Sequence, residues 1–190
     1  MQTHKQLLDA AVERDGAAQR ALLAGDPAGA RAAFGEAAVL YRRSWELASA
    51  TSYGRLIGML KSAVLAGGGE PEARYTLAEL AERGAETPAA AYTVAVATLI
   101  SGDDAGAARA SEAMRGGSDA FDRTADAIAA IAAGDGERYR EALTRIVGDF
   151  EGRAEHLTGV AVADTALMLQ VLAARRGIAA ELSSAVLPAI

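Results

Sequence analysis

The sequence predicts an all-α fold: about nine helices paired as antiparallel hairpins and stacked into an α-solenoid or superhelix, in one domain covering residues 1–190. Three observations carry that prediction. Alanine, the strongest helix former, occurs 48 times among 190 residues against 3 Phe and 1 Trp, so close approach of helices rather than bulky side chains must fill the interior. A Gly-Asp pair recurs between segments of helical periodicity. The only flexible run, Gly67-Gly68-Gly69, is too short to separate domains, and a chain of this length buries roughly 70% of its unfolded surface in one core.

Helices are expected at about 3–23, 27–50, 53–66, 71–83, 88–101, 104–115, 119–133, 136–149 and 154–176. Asp26-Pro27, Glu70-Pro71 and Thr87-Pro88 mark starts, where a capping side chain precedes a proline whose missing N–H costs nothing at the first helical position. Gly67, Gly84, Gly116 and Gly177 mark ends. Residues 89–100 carry no charge on any face, which makes theirs the most enclosed helix. The apolar stretch 157–174 approaches membrane-spanning length but contains Asp164 and Gln170, costly in hydrocarbon, and is read as a core helix.

Repetition sets the order of these helices. Leu22-Leu23-Ala24-Gly25-Asp26, Leu99-Ile100-Ser101-Gly102-Asp103 and Ile131-Ala132-Ala133-Gly134-Asp135 each sit between two helical segments. A glycine takes the left-handed conformation that ends one helix, and the aspartate accepts from the free N–H groups that open the next. Five, nine and twelve residues past each glycine lie Ala30, Phe34, Ala37; Ala107, Ser111, Met114; and Tyr139, Leu143, Ile146, and all but Ser111 suit a core. A looser copy starts at Gly68 (Ala73, Leu77, Leu80) and a decayed one at Gly177 (Leu182, Val186, Ala189), giving intervals of 43, 34, 32 and 43 residues.

This spacing resembles the tetratricopeptide repeat, a pair of antiparallel helices of about 34 residues. The string Gly25-Asp26-x-x-x-Ala30-x-x-x-Phe34-x-x-Ala37 is similar to the second half of that repeat. In the first half the small residue is present at Ala18, Ala95 and Ala127, while Arg14, Ala91 and Arg123 stand where the family has a large aromatic. The resemblance implies a curved, non-catalytic surface that binds a peptide or a partner protein in a helical groove.

Composition removes several other functions. Without cysteine there is no disulfide, thiolate metal site or Cys nucleophile, and His4 and His156 cannot build a His-rich metal cage, so neither a metal nor a cofactor is expected. A net charge of −6 argues against nucleic acid as a partner. The polar beginning Met1-Gln2-Thr3-His4-Lys5-Gln6 lacks an apolar secretion segment, so a cytoplasmic location is expected, with no membrane partner.

Six residues are candidates for binding. Tyr41, Arg42, Arg43 and Trp45 lie on one helix. Ala30, Phe34, Ala37, Tyr41, Trp45 and Ala48 form a stripe that serves either as core or as the lining of the groove, where Trp, Tyr and Arg would anchor a partner and Arg42 or Arg43 could hold a carboxylate. Arg42 and Glu46 also have the spacing of an ordinary surface pair. Asp164 shares a helical stripe with Leu157, Val160, Ala161, Leu167, Met168 and Val171; a carboxylate there needs a partner, which Thr165, His156 or an arginine could supply, or else it opens onto a ligand. His156 follows Glu155, but adjacent helical residues point about 100° apart and make no acid–base pair. Gly67-Gly68-Gly69-Glu70 lacks the lysine and preceding strand of a phosphate loop and reads as a connector. Arg175-Arg176 suits a helix C-terminus.

Three functions remain open. The first is a non-catalytic interaction module, a scaffold or adaptor. The second is a small-molecule or enzymatic pocket around Asp164 and His156, with Tyr41 or Arg42 opposite. The third is a toxin-blocking protein, because the tail from His156 through Ala163-Asp164-Thr165-Ala166-Leu167 to Val186-Leu187-Pro188 is similar to that of all-helical bacterial immunity proteins. The apolar end Ala185-Val186-Leu187-Pro188-Ala189-Ile190 must fold back as a cap or bury itself in a homodimer.

Overall fold

Three hinges of identical build direct the chain. At Gly25, Gly102 and Gly134 φ is +74°, +79° and +67°. The following aspartate donates its N–H back to Ala21, Thr98 or Ala130, and its side chain accepts from Gly29 at 2.9 Å, Gly106 at 2.8 Å or Arg138 at 3.1 Å. One residue pair thus closes a helix and caps the next.

The computed structural model describes residues 2–83 and 86–189, apart from the side chain of residue 83; Met1, Gly84, Ala85 and Ile190 lie outside the described residues, and with them the helix end expected at Gly84, the first residue of the polar beginning and the last of the apolar end. Among the described residues there are nine α-helices and no strand: α1 (His4–Leu23), α2 (Pro27–Glu46), α3 (Gly54–Leu65), α4 (Glu70–Arg83), α5 (Pro88–Ile100), α6 (Asp104–Ala113), α7 (Asp119–Ala132), α8 (Gly136–Glu151) and α9 (Asp164–Ala174). None is long and apolar enough to cross a membrane.

Neighbours in sequence pack as neighbours in space from α1 to α8, and α3, α5 and α7 also touch one another in that order. Hairpins that bury one face against the next require this order. The repeat positions form its interior: Ala30, Phe34, Ala37, Ala73, Leu80, Ala107, Met114, Tyr139, Leu143 and Ile146 are all buried, as are Ala18, Ala95 and Ala127. Ser111 is buried as well, because its hydroxyl satisfies itself on the Ala108 carbonyl at 2.8 Å within its own helix. The uncharged α5 is the most enclosed helix, buried at ten of its 13 positions.

The departures cluster near the C-terminus. The helix expected over 154–176 begins only at Asp164, and residues 152–163 run without regular structure. Gly159 turns at φ +69°, and Val160, expected on the helical stripe, packs together with Val162 beside Ala18, Leu22 and Phe34. Leu157 and Ala161, expected on the apolar stripe with Asp164, are exposed. The decayed repeat after Gly177 forms no helix. Gly177 ends α9 with the same left-handed turn (φ +71°), but Ile178 stands where the other hinges have aspartate and cannot cap a new helix. The expected helix 27–50 stops at Glu46, and beyond it Ser49 and Ser52 bond to each other at 2.9 Å.

α9 breaks the sequential order and packs back on α3, α7 and α8. Arg176 fixes its C-terminal end by donating to Asp104 at 2.6 Å and to the Leu99 carbonyl at 2.8 Å, while Arg175 reaches Glu70 at 3.1 Å and the Gly68 carbonyl at 2.8 Å. The arginine pair therefore does more than complement a helix end: it bolts the last helix to α4, α5 and α6.

Candidate functional site

The N-terminal end of α9 is held by a buried polar cluster. Lys61, set among the apolar residues of α3, places Nζ 2.5 Å from Asp164 Oδ2, both side chains nearly enclosed. Gln19 of α1 donates to the same oxygen at 3.5 Å and accepts from Thr158 at 2.5 Å. One helical turn before Gln19 lies Asp15, fully buried, which accepts from Tyr41 Oη and Ser62 Oγ, each at 2.8 Å. Five segments of the chain meet in this cluster.

Its electrostatics are those of a clamp. Burial pushes the Asp15 carboxyl up from its ordinary range, against the pull of Lys61 and the hydroxyls of Ser62 and Tyr41. Burial works to lower the Lys61 ammonium, but Asp164 and Asp15 outweigh it and hold Lys61 above its usual value. Burial also pushes Tyr41 up, reinforced by Asp15, so Tyr41 stays a neutral donor. The carboxylates, ammonium and hydroxyls satisfy one another.

The six sequence candidates separate in space. Tyr41 belongs to the clamp. Trp45 is core, stacked obliquely on Tyr53 at 6.1 Å and donating from Nε1 to Glu79 at 3.0 Å. Arg42 and Arg43 point outward: Arg42 bonds to Glu46 at 3.0 Å and lies 4.0 Å above the Tyr75 ring, and Arg43 is exposed. Asp164 takes Lys61 and Gln19 as partners, not Thr165, His156 or an arginine. His156 stacks on Phe150 at 6.2 Å, and its buried Nδ1 has no hydrogen-bond partner. Groups of three or more His, Asp or Glu able to hold a metal are absent among the described residues.

Further along the stripe of α9 that carries Asp164 lies an open concavity. A trough of about 840 Å³ has Leu167, Val171 and Ala174 as its floor, Val64, Leu65 and Gly67 along one wall, and Leu182, Leu187 and Pro188 of the returning tail along the other. Arg31 and Arg175 stand at its rim. Arg175 is paired with Glu70, whereas Arg31, exposed near the start of α2, lines the trough with no ion pair among the described residues.

Sequence reasoning missed Lys61, Asp15 and Gln19. The signal was available: Asp15 falls on the stripe of Leu7, Ala11, Ala18 and Leu22, and Lys61 interrupts an apolar helix, the same irregularity that singled out Asp164. Arg31 gave no signal, because the trough is assembled from three separate stretches of chain. Comparison with family models, with curated proteins and with solved structures finds no match for this chain.

Proposed function

We propose that this chain is a non-catalytic protein–protein interaction module, a helical-hairpin scaffold of tetratricopeptide-like design that works in the cytoplasm and seats a segment of a partner protein in the trough over α9. The observation that supports this reading is the trough itself: about 840 Å³ of open, largely apolar surface, with the Arg31 guanidinium at its edge in no ion pair among the described residues. Soluble chains rarely leave a concave apolar patch unused. Its shape suits a short apolar segment, and Arg31 suits an acidic residue beside that segment, since guanidinium and carboxylate pair in bidentate fashion.

The enzymatic alternative around Asp164 and His156 draws no support from the geometry. The Asp164 carboxylate is already taken by Lys61 and Gln19, and His156 lies against Phe150 instead of facing it. A displayed-peptide selection on the full chain tests the proposal. Selected peptides should be apolar with a flanking acidic residue. Val171→Glu or Arg31→Glu should weaken them about tenfold or more, and the Arg42→Ala, Arg43→Ala double variant should not. Binding that survives Val171→Glu and is lost in the arginine double variant moves the docking face to the outer surface of α2.

A further inference from the structure

After Gly177 the chain turns back along α9. Ile178 lies beside Gly136 at the start of α8, and Ser184 donates to Glu151 at its end, 2.6 Å away. Spanning the 16 residues of α8, about 24 Å at 1.5 Å per residue, with so few residues demands a nearly extended backbone. Burial alternates accordingly over 178–184: Ile178, Ala180, Leu182 and Ser184 turn inward while Ala179, Glu181 and Ser183 are exposed, and a turn closed by the Leu187 N–H on the Ser184 carbonyl at 3.1 Å then buries Val186. The inward apolar side chains pack on the main core.

The backbone of this extended segment is bonded by its neighbours as a pairing strand would bond it. Gln170 donates from Nε2 to the Ala180 carbonyl at 2.6 Å and accepts the Ala180 N–H on Oε1 at 3.0 Å, and Tyr139 Oη, donating to the same Oε1 at 2.9 Å, fixes the amide in place. The Val186 carbonyl accepts from Ala163 N–H at 2.7 Å. Main-chain bonds plus pockets for alternate side chains are the means by which proteins bind extended peptides.

We propose that the cleft between α8 and α9 is a binding site for an extended peptide, and that residues 178–186 are its internal occupant, displaced by a partner strand that presents apolar and small side chains on the same alternate positions. The occupant is built to leave. It carries no helix of its own, four of its five inward residues are only half-buried, its far side borders the open trough, and Gly177 supplies a hinge at φ +71°. Because the strand is also a wall of the trough, its departure would widen the docking face. The regulatory role therefore rests on the reading of the chain as a peptide-binding module.

The test uses the full chain with a protease recognition sequence inserted after Gly177, folded and then cut. A fluorescent peptide copying residues 178–189 should enter the cut protein saturably, with the helical circular dichroism unchanged. The uncut chain should take it up at least about a hundredfold more weakly, since the tethered strand competes at high effective concentration. Gln170→Ala in the cut protein should weaken uptake about tenfold, the value of two lost backbone hydrogen bonds. Retention of the cut fragment without exchange, loss of helix when it leaves, or equal uptake of a peptide with Leu182→Asp and Val186→Asp each overturns the inference. Exchange in the cut chain alongside failure of the trough selection would retain the strand site and remove the proposed function; the reverse pattern removes only the strand site.

Discussion

Lys61 Nζ and Asp164 Oδ2 meet at 2.5 Å across the contact between α3 and α9, with each side chain less than a sixth exposed. The pair joins the N-terminal end of the last helix to α3, as Arg175 and Arg176 tie its other end to α4, α5 and α6. Removing Lys61 leaves Asp164 and Asp15 with no counter-charge. Lys61→Met should cost about 3–5 kcal/mol in urea unfolding at pH 7, and Lys61→Met with Asp164→Leu should recover most of that, because an apolar pair avoids the desolvation penalty. A loss below about 1 kcal/mol for the single variant would show that the pair does not hold α9.

The same pair sets an alkaline limit. Lys61 titrates above its ordinary 10.5 in the folded chain, so its contribution is complete below that value and is lost as pH rises through the higher folded value. The stability gap between the native chain and Lys61→Met should stay constant from about pH 7 to 10 and narrow above it. A gap that widens with alkali contradicts the assignment.

Asp15 acts in the opposite sense near neutrality. Its carboxyl is raised from 3.8 by burial, so between that value and the raised one the folded state binds more protons than the unfolded state, and stability from this group falls as pH rises. Measured against Asp15→Asn, the native chain should lose relative stability from pH 4 to pH 7. A relative gain over that range would mean that the hydroxyls of Tyr41 and Ser62, together with Lys61, outweigh desolvation.

The hinges predict a paired outcome. A Cβ at Gly102 meets no atom but must sit at φ +79°, so Gly102→Ala should cost about 1–2 kcal/mol from backbone strain alone. Gly148 is exposed within α8 and also has open space, so Gly148→Ala should stabilise by about 0.5–1 kcal/mol. Thermal unfolding of both variants decides whether conformation, rather than space, is what glycine supplies at the hinge.

On α2, Trp45 and Arg43 separate core from surface. Trp45→Ala should cost about 3–5 kcal/mol through the cavity it leaves and the lost bond to Glu79, whereas Arg43→Ala should change stability by less than about 0.5 kcal/mol.

The sequence foreshadowed the helices because each local signal carries its own physics: Gly25-Asp26, Gly102-Asp103 and Gly134-Asp135 stop and restart a helix without help from the rest of the chain. It was misleading over 154–176, where alanine and leucine mimic a helix while Gly159 and two valines take the backbone elsewhere. The extended segment after Gly177 was read as a faded repeat because Leu182, Val186 and Ala189 fall five, nine and twelve residues past that glycine, and Leu182 and Val186 fit a period of four as well as a period of two. The clamp was half legible: Asp164 stood out on its stripe, but its partners lie 103 and 145 residues away in sequence, a distance no periodicity spans.

The most direct measurement is the amide NMR spectrum of the full chain titrated with a peptide selected on it. Partner docking over α9 predicts shifts centred on Leu167, Val171, Ala174 and Leu182, with Arg42, Arg43, His156 and Asp164 unmoved. Shifts centred on Arg42 and Arg43, or on His156 and Asp164, with the α9 trough silent, would contradict it.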